Sequence, residues 1–147
     1  MSTIYILASV DIAGALAKGS LNKRIYLVDN NKRNGSEDEG TELLETNVQD
    51  GDLIVWVLGP MQVETLVTIK KISIETFAGE DKIEQPFTEP NPFTGEDEWR
   101  WKVAGVKSGQ KFKYSIDFMI ESREMSLPYP ESLTHPASID NPSIRIR

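Results

Sequence analysis

Hydrophobic and polar side chains alternate with a period of two residues along much of the chain. The clearest segment, residues 112–121, places its apolar side chains on one face and most of its polar side chains on the other. The apolar face carries Phe112, Tyr114, Ile116, Phe118 and Ile120, and the polar face carries Lys113, Ser115, Asp117 and Glu121. This alternation predicts a half-buried strand of an antiparallel sheet. The same pattern recurs over shorter lengths in residues 4–10, 98–103 and 144–147.

A second kind of segment is apolar on both faces. Residues 53–58 read Leu-Ile-Val-Trp-Val-Leu. Such a run predicts a central strand that is covered on both sides. Residues 24–28 and 41–48 are further strand candidates.

A shift in the alternation marks one predicted strand. Its first apolar positions, Val67 and Ile69, have odd numbers, whereas the later ones, Ile72 and Ile74, have even numbers. The dipeptide Lys70-Lys71 lies at the change. A β-bulge or a bend there would return both pairs to the core, so we expect the strand to kink at the two lysines.

Polar and proline-rich segments separate the predicted strands. Residues 29–40 predict a polar loop, 49–51 a tight turn, and 84–97 and 126–142 long irregular connections. Only residues 12–18 suggest a helix, of one or two turns. Seven or eight short strands with long loops predict an all-β fold. We expect one antiparallel β-sandwich domain spanning residues 1–147, with Greek-key connections and a cupredoxin-like or immunoglobulin-like architecture.

The composition of the chain excludes some classes of function and makes others unfavourable. The chain has 16 Lys and Arg against 23 Asp and Glu, a net charge of −7, which makes nucleic acid and anionic membranes unfavourable partners. Without Cys it has no disulfide, thiolate metal site or Cys nucleophile. The N-terminal apolar run lacks a basic flank, and no stretch approaches the ~18 apolar residues of a membrane span. We therefore expect a cytoplasmic protein.

Few residues suggest metal or catalytic chemistry. His135 is the single histidine, and an exposed or locally hydrogen-bonded side chain is the favoured interpretation. Acidic clusters at 37–39, Asp50 with Asp52, 80–81 and 96–98 could supply oxygen ligands to calcium, although none matches a calcium-loop motif and solvated surface is favoured. No carboxylate pair stands out and no phosphate-binding motif occurs. We therefore expect no enzyme activity and no cofactor.

Aromatic side chains are the candidates for a ligand site or an interface. Trp99 and Trp101 share one face of a predicted strand, where they could stack on a sugar, but the charged residues opposite them favour a core position. Phe87, Phe93 and Tyr129 fall in predicted loops, which often carry binding functions. A module that binds a glycan or another small polar ligand through its end loops is therefore one possible function.

Several motifs in chain order resemble the bacterial inclusion body protein family of PixA and AidA type. They are Ile-Tyr-Ile-Leu-Ala-Ser-Val-Asp at 4–11, Ile-Tyr-Leu-Val-Asp at 25–29, the stretch 40–56 with its Asp-Gly-Asp-Leu-Ile-Val-Trp end, Tyr-Ser-Ile-Asp-Phe at 114–118 and Ile-Asp-Asn-Pro-Ser-Ile-Arg-Ile at 139–146. The closing motif departs from the family's pattern by one inserted residue, Asn141.

The resemblance implies a role in cytoplasmic inclusions of bacteria and offers no catalytic residues. It favours a non-enzymatic protein that acts by self-association or by binding a partner. Edge strands offer unpaired backbone groups, and symmetric pairing of such edges could form oligomers, of which a dimer is favoured.

Overall fold

The fold is all-β in a computed structural model that describes residues 2–11, 25–58, 67–75, 84–93, 95, 97–120, 123–127 and 142–147. Within these ranges the chain forms ten strands and one short 3₁₀ helix at Lys32–Asn34. The strands are β1 Thr3–Val10, β2 Ile25–Asp29, β3 Glu45–Val48, β4 Leu53–Leu58, β5 Val67–Ile74, β6 Phe87–Pro90, β7 Asp97–Lys102, β8 Lys111–Ile120, β9 Arg123–Leu127 and β10 Ser143–Ile146. No helix in this part of the chain has the length and apolarity to cross a bilayer.

The strands form two sheets. Sheet A has the order β2-β1-β4-β7-β6, and sheet B has the order β3-β10-β8-β5. Strand β9 also pairs with β8, along residues 116–120, whereas β10 pairs with residues 111–113 of the same strand. The predicted all-β class is confirmed.

Most strand pairs of the described chain are antiparallel, as predicted, and each sheet also contains one parallel pair. Strand β1 runs parallel to β4, and β10 runs parallel to β3, while the other pairs within the described ranges are antiparallel. Neither parallel pair is consecutive in the chain. Parallel neighbours need a long crossover, and here the chain visits other strands before it returns.

The inner faces of the two sheets share one hydrophobic core. The predicted alternation places the even-numbered residues of β1 inward, and likewise those of β8 from Phe112 to Phe118, all of which are buried. Two edge-to-face aromatic pairs join the sheets: Trp56 with Tyr114, at 5.4 Å between ring centroids, and Trp101 with Phe112, at 6.0 Å. Such pairs add to the stabilisation that burial alone provides.

The predicted kink in β5 is present. The register of β5 against β8 shifts between Ile69 and Lys71. As a result Ile69 packs against the core from one side of the shift, and Ile72 and Ile74 are buried on the other. The bulge thus reconciles two opposite parities with a single apolar face.

Three predicted boundaries differ from the structure. The strand expected at 41–48 begins only at Glu45, because residues 41–43 turn and Thr41 bridges to Leu27. The connection expected at 84–97 contains β6, whose four residues pair with β7 despite ending in Pro90. The loop expected at 126–142 begins inside β9; residues 128–141 and the helix expected at 12–18 lie outside the described residues.

Candidate functional site

The outer face of sheet A is the most unusual surface of the described chain. Six of the eight large hydrophobic side chains that the described residues expose lie on it. They are Tyr5, Leu7, Tyr26, Val28, Val57 and Phe87. Soluble proteins expose single apolar side chains routinely, but a contiguous group on one face marks a binding surface more often than chance placement does.

The pairing register brings these side chains into rows. Leu7 lies directly between Val28 of β2 and Val57 of β4. The next row runs from Tyr5 through Val55 to Arg100 and Phe87, and Val55 is buried between its two longer neighbours. The prediction that β4 is a central strand is therefore confirmed, but its outer side is covered only in part.

The same face becomes charged towards β7 and β6. The Arg100 guanidinium lies 3.4 Å from a carboxylate oxygen of Glu89 and 3.6 Å from one of Glu98. Arg100 and Glu98 are half-buried and Glu89 is exposed, so water still screens these ion pairs and they add little to stability. They do place charged groups beside the apolar rows. The apolar part of the outer face therefore spans β2, β1 and β4, and a polar margin borders it.

The outer edge of β2 is closed by its own loop. The amide of Leu27 donates to the carbonyl of Thr41 at 3.3 Å, and the carbonyl of Leu27 accepts from the amide of Gly40 at 2.7 Å. Two residues further along β2, the amide of Asp29 donates to Oε1 of Glu39 at 2.8 Å. These bonds occupy groups that another strand would need for pairing.

The outer edge of β3 is closed in a similar way. Glu45 exchanges two backbone hydrogen bonds with Glu37, both 2.9 Å long. The amide of Asn47 donates to the Ser36 hydroxyl at 3.0 Å, and its carbonyl accepts from the Asn31 side-chain amide. Strand β3 therefore offers little free backbone to a second chain.

Side chains close the outer edge of β5. The side-chain oxygen of Gln85 accepts from the Ile74 backbone N–H at 2.8 Å, and its side-chain NH₂ donates to the Ile74 carbonyl at 3.1 Å. The Gln85 side chain therefore takes the place of a neighbouring strand at that residue. The indole N–H of Trp99 donates to the carbonyl of Ile69 at 3.2 Å. At the far side of sheet A, β6 keeps an exposed edge, which Pro90 makes a poor template for strand addition.

Two acidic side chains meet where β2 ends. Besides the bond from the Asp29 amide to Glu39, Oδ1 of Asp29 accepts from the amide of Asn31 at 2.8 Å. The remaining oxygens, Oδ2 of Asp29 and Oε2 of Glu39, are buried without a hydrogen-bond partner among the described residues. Burial raises the pKa of Glu39, and the neighbouring Asp29 side chain raises it further, against the lowering effect of the Asp29 amide. A proton held between the two carboxyl groups would satisfy both oxygens.

We expect Glu39→Gln to stabilise the protein by less than about 1 kcal/mol at neutral pH, because it removes a charge beside Asp29 and keeps an oxygen for the Asp29 amide, while solvent screens part of this half-buried site. A raised carboxyl pKa means that the folded state binds its proton more tightly. The wild type therefore loses stability as pH rises from the ordinary value of 4.5 through the raised pKa. Urea unfolding of both proteins across this range should show the advantage of the variant shrinking towards low pH. A variant that is less stable than wild type at neutral pH would contradict this account.

Of the five aromatic residues that the sequence suggests, the four within the described ranges lie in different environments. Trp101 is buried in the core with its indole N–H donating to the carbonyl of Glu84 at 2.7 Å, and Trp99 packs against the core from a half-buried position. Phe87 lies in strand β6, not in a loop, and is exposed on the outer face of sheet A. Phe93 follows β6 and is 93% exposed. Tyr129 lies outside the described residues.

The acidic clusters give no metal centre in the described part of the chain. No group of three or more His, Asp or Glu side chains is placed there to hold a cation. Asp52 is buried, and its two carboxylate oxygens accept from the amides of Ser2 and Gln49, each at 2.9 Å. It therefore closes a turn. Residues 80–81, Glu96 and His135 lie outside the described residues.

The sequence does contain a signal for the outer face of sheet A. Within β1, apolar residues occupy both parities, since Tyr5 and Leu7 alternate with the buried Ile4 and Ile6. The same holds in β2. These positions are neither rare residue types nor aromatic residues in loops, so the usual sequence signals of a binding site do not mark them.

The sequence matches, over residues 2–126, the model of a family described as a domain of unknown function, DUF8788. No curated protein matches it. Among solved structures, the inclusion body protein PixA from Burkholderia cenocepacia J2315 has a similar fold, with a TM-score of 0.67 and 11% sequence identity over 99% of this chain and 95% of that chain. The likeness to inclusion body proteins that the motifs predict is therefore present in the fold.

Proposed function

We propose that this chain, which belongs to the DUF8788 family and shares its fold with an inclusion body protein, is a non-enzymatic protein that acts by associating with itself or with a protein partner. The family description gives no function, so the proposal is drawn from the surface of the protein. The observation that carries the proposal is the concentration of exposed apolar side chains on the outer face of sheet A. A bacterial cytoplasm is the setting we propose for it.

The shape of this surface favours association over catalysis or small-ligand binding. A ligand site is usually a concave pocket with a few convergent polar groups. Here the exposed apolar side chains stand on a sheet, in rows set by the pairing of β2, β1 and β4. Such a surface matches another protein surface, which buries apolar area at its centre and leaves polar residues at its rim.

The closed strand edges favour a discrete assembly over open-ended growth. Strand addition needs free backbone donors and acceptors, but the outward backbone groups of Leu27 in β2, Glu45 in β3 and Ile74 in β5 are already bonded to other parts of the chain. The edge pairing expected from the sequence is therefore the less favourable route. Contact between faces can close after two subunits.

Light scattering over a concentration series tests the proposal. We expect the weight-average mass to rise from that of one chain to that of a discrete small oligomer, because apolar contact between chains follows mass action. The same series in high salt should give an equal or larger mass, since an acidic protein repels itself less when its charges are screened. A mass that stays at one chain at every concentration, in both salts, would overturn self-association as the function.

A further inference from the structure

We infer that the apolar part of the outer face of sheet A binds a second copy of this chain, packed face to face about a two-fold axis close to Leu7. The inference rests on the proposed function and names its partner and its surface. A two-fold interface uses the same patch on both subunits, so the patch must be complementary to itself in charge and in shape.

Charge is the first argument. The chain carries a net charge of −7, so two copies repel unless they meet through a neutral surface. The outward positions of β1, β2 and β4 carry no ionisable side chain other than tyrosine: they are Thr3, Tyr5, Leu7, Ser9, Tyr26, Val28, Leu53, Val55 and Val57. A partner of opposite charge would find no charged group to pair with there, whereas the same neutral surface of a second copy would match it.

The second argument is the position of the charged margin. With apolar rows facing apolar rows, Glu89, Glu98 and Arg100 remain at the periphery, where they keep their hydration and their mutual ion pairs. Burying them at the centre would cost several kcal/mol of desolvation for each ion. A dimer centred on β1 avoids this cost, but one centred on β7 does not.

Area sets the expected strength of the dimer. The three strands of the apolar part, about 4.8 Å apart and about 20 Å long, give a face of roughly 300 Å², before the relief of the side chains is added. A standard interface buries about 800 Å² on each partner. The apolar part alone is smaller than that, so we expect a weak and reversible dimer. Tyr5 and Tyr26 supply the large aromatic contacts that are enriched at such interfaces.

The absence of cysteine from the chain allows a direct test by cross-linking. Leu7→Cys places a single thiol beside the proposed axis, where it would meet the same thiol of the second copy. Leu43→Cys is the matched control, because Leu43 is 40% exposed and Leu7 is 39% exposed, but Leu43 lies in the turn before β3. The oxidation is mild and is done at a protein concentration where the wild type is dimeric. We then expect Leu7→Cys to form a covalent dimer at least tenfold faster than Leu43→Cys. Equal rates would overturn the inference.

Charge insertion gives the second test. Leu7→Lys should shift the dimer to monomer at concentrations where the wild type and Leu43→Lys stay dimeric. Val28→Lys repeats the test on the edge strand β2, where the fold accommodates a lysine more easily. Circular dichroism and thermal unfolding confirm that each variant is folded. Dimers that persist in both Leu7→Lys and Val28→Lys would overturn the assigned surface and leave the proposed function standing. A monomeric wild type would overturn this inference and self-association as the function, and would leave binding to a different protein as the remaining part of the proposed function.

Discussion

Phe118→Ala is expected to lower the free energy of unfolding by about 3–5 kcal/mol, the usual cost of removing a buried aromatic side chain. Phe118 is fully buried in the middle of β8, where the strand pairs on one side with β5 and on the other with β9. The cavity would open between the two sheets, with rigid strands on both sides of it. Urea unfolding followed by tryptophan fluorescence measures the change, because all three tryptophans pack in or against the same core.

Met119→Ala provides the internal control. It is the next residue along β8, points to the opposite face and is only partly buried. We expect it to cost about 1 kcal/mol. A cost below about 1 kcal/mol for Phe118→Ala, together with a larger one for Met119→Ala, would mean that the faces of β8 are reversed.

Asp52→Ala is expected to cost about 2–4 kcal/mol, because it removes two charge-assisted hydrogen bonds from a buried turn. The amides of Ser2 and Gln49 would both lose their acceptor. The turn holds the start of β4, and the carbonyl of Asp52 also accepts from the amide of Val103 at 2.8 Å. The loss would therefore reach β1, β4 and the end of β7 together, and thermal unfolding should show a single transition at a lower temperature.

Asp52→Asn separates the hydrogen bonds from the space that the side chain fills. Asparagine keeps one acceptor oxygen for one of the two amides and sets an NH₂ group against the other, so an intermediate cost is expected. If Asp52→Ala and Asp52→Asn were both neutral, the carboxylate would have no part in closing the turn.

The sequence predicts those strands whose pattern depends only on burial. Strand β8 and the kink in β5 follow from period-two alternation because each has one face in the core, and β4 follows from its continuous apolar run. Alternation says nothing about the direction of a neighbour, so the parallel pairs of β1 with β4 and β10 with β3 were not predicted. Strand β6 escaped prediction because four exposed residues that end in proline form a strand only when β7 is already in place.

The sequence shows that the outer face of sheet A is apolar, but it does not show that this face is exposed. An apolar residue such as Leu7 or Val57 is consistent with a strand buried on both faces, and only the assembled sheet shows that its outer side has no cover among the described residues. Phe87 joins that surface through pairing with Arg100, a partner that its own segment does not reveal. In contrast, the inward positions of Trp99 and Trp101 are recoverable locally, since charged residues alternate with them.

The position of β10 has a consequence for synthesis. This strand lies between β3 and β8, yet Arg145 is 100 residues away from its neighbour Glu45. A ribosome completes β3 and β8 before β10 exists, and the two strands cannot pair with each other across a gap of about two strand spacings. A nascent or prematurely terminated chain therefore carries two open strand edges, the feature that makes partly folded chains prone to aggregation. The moment at which sheet B can close is set by translation of its last residues.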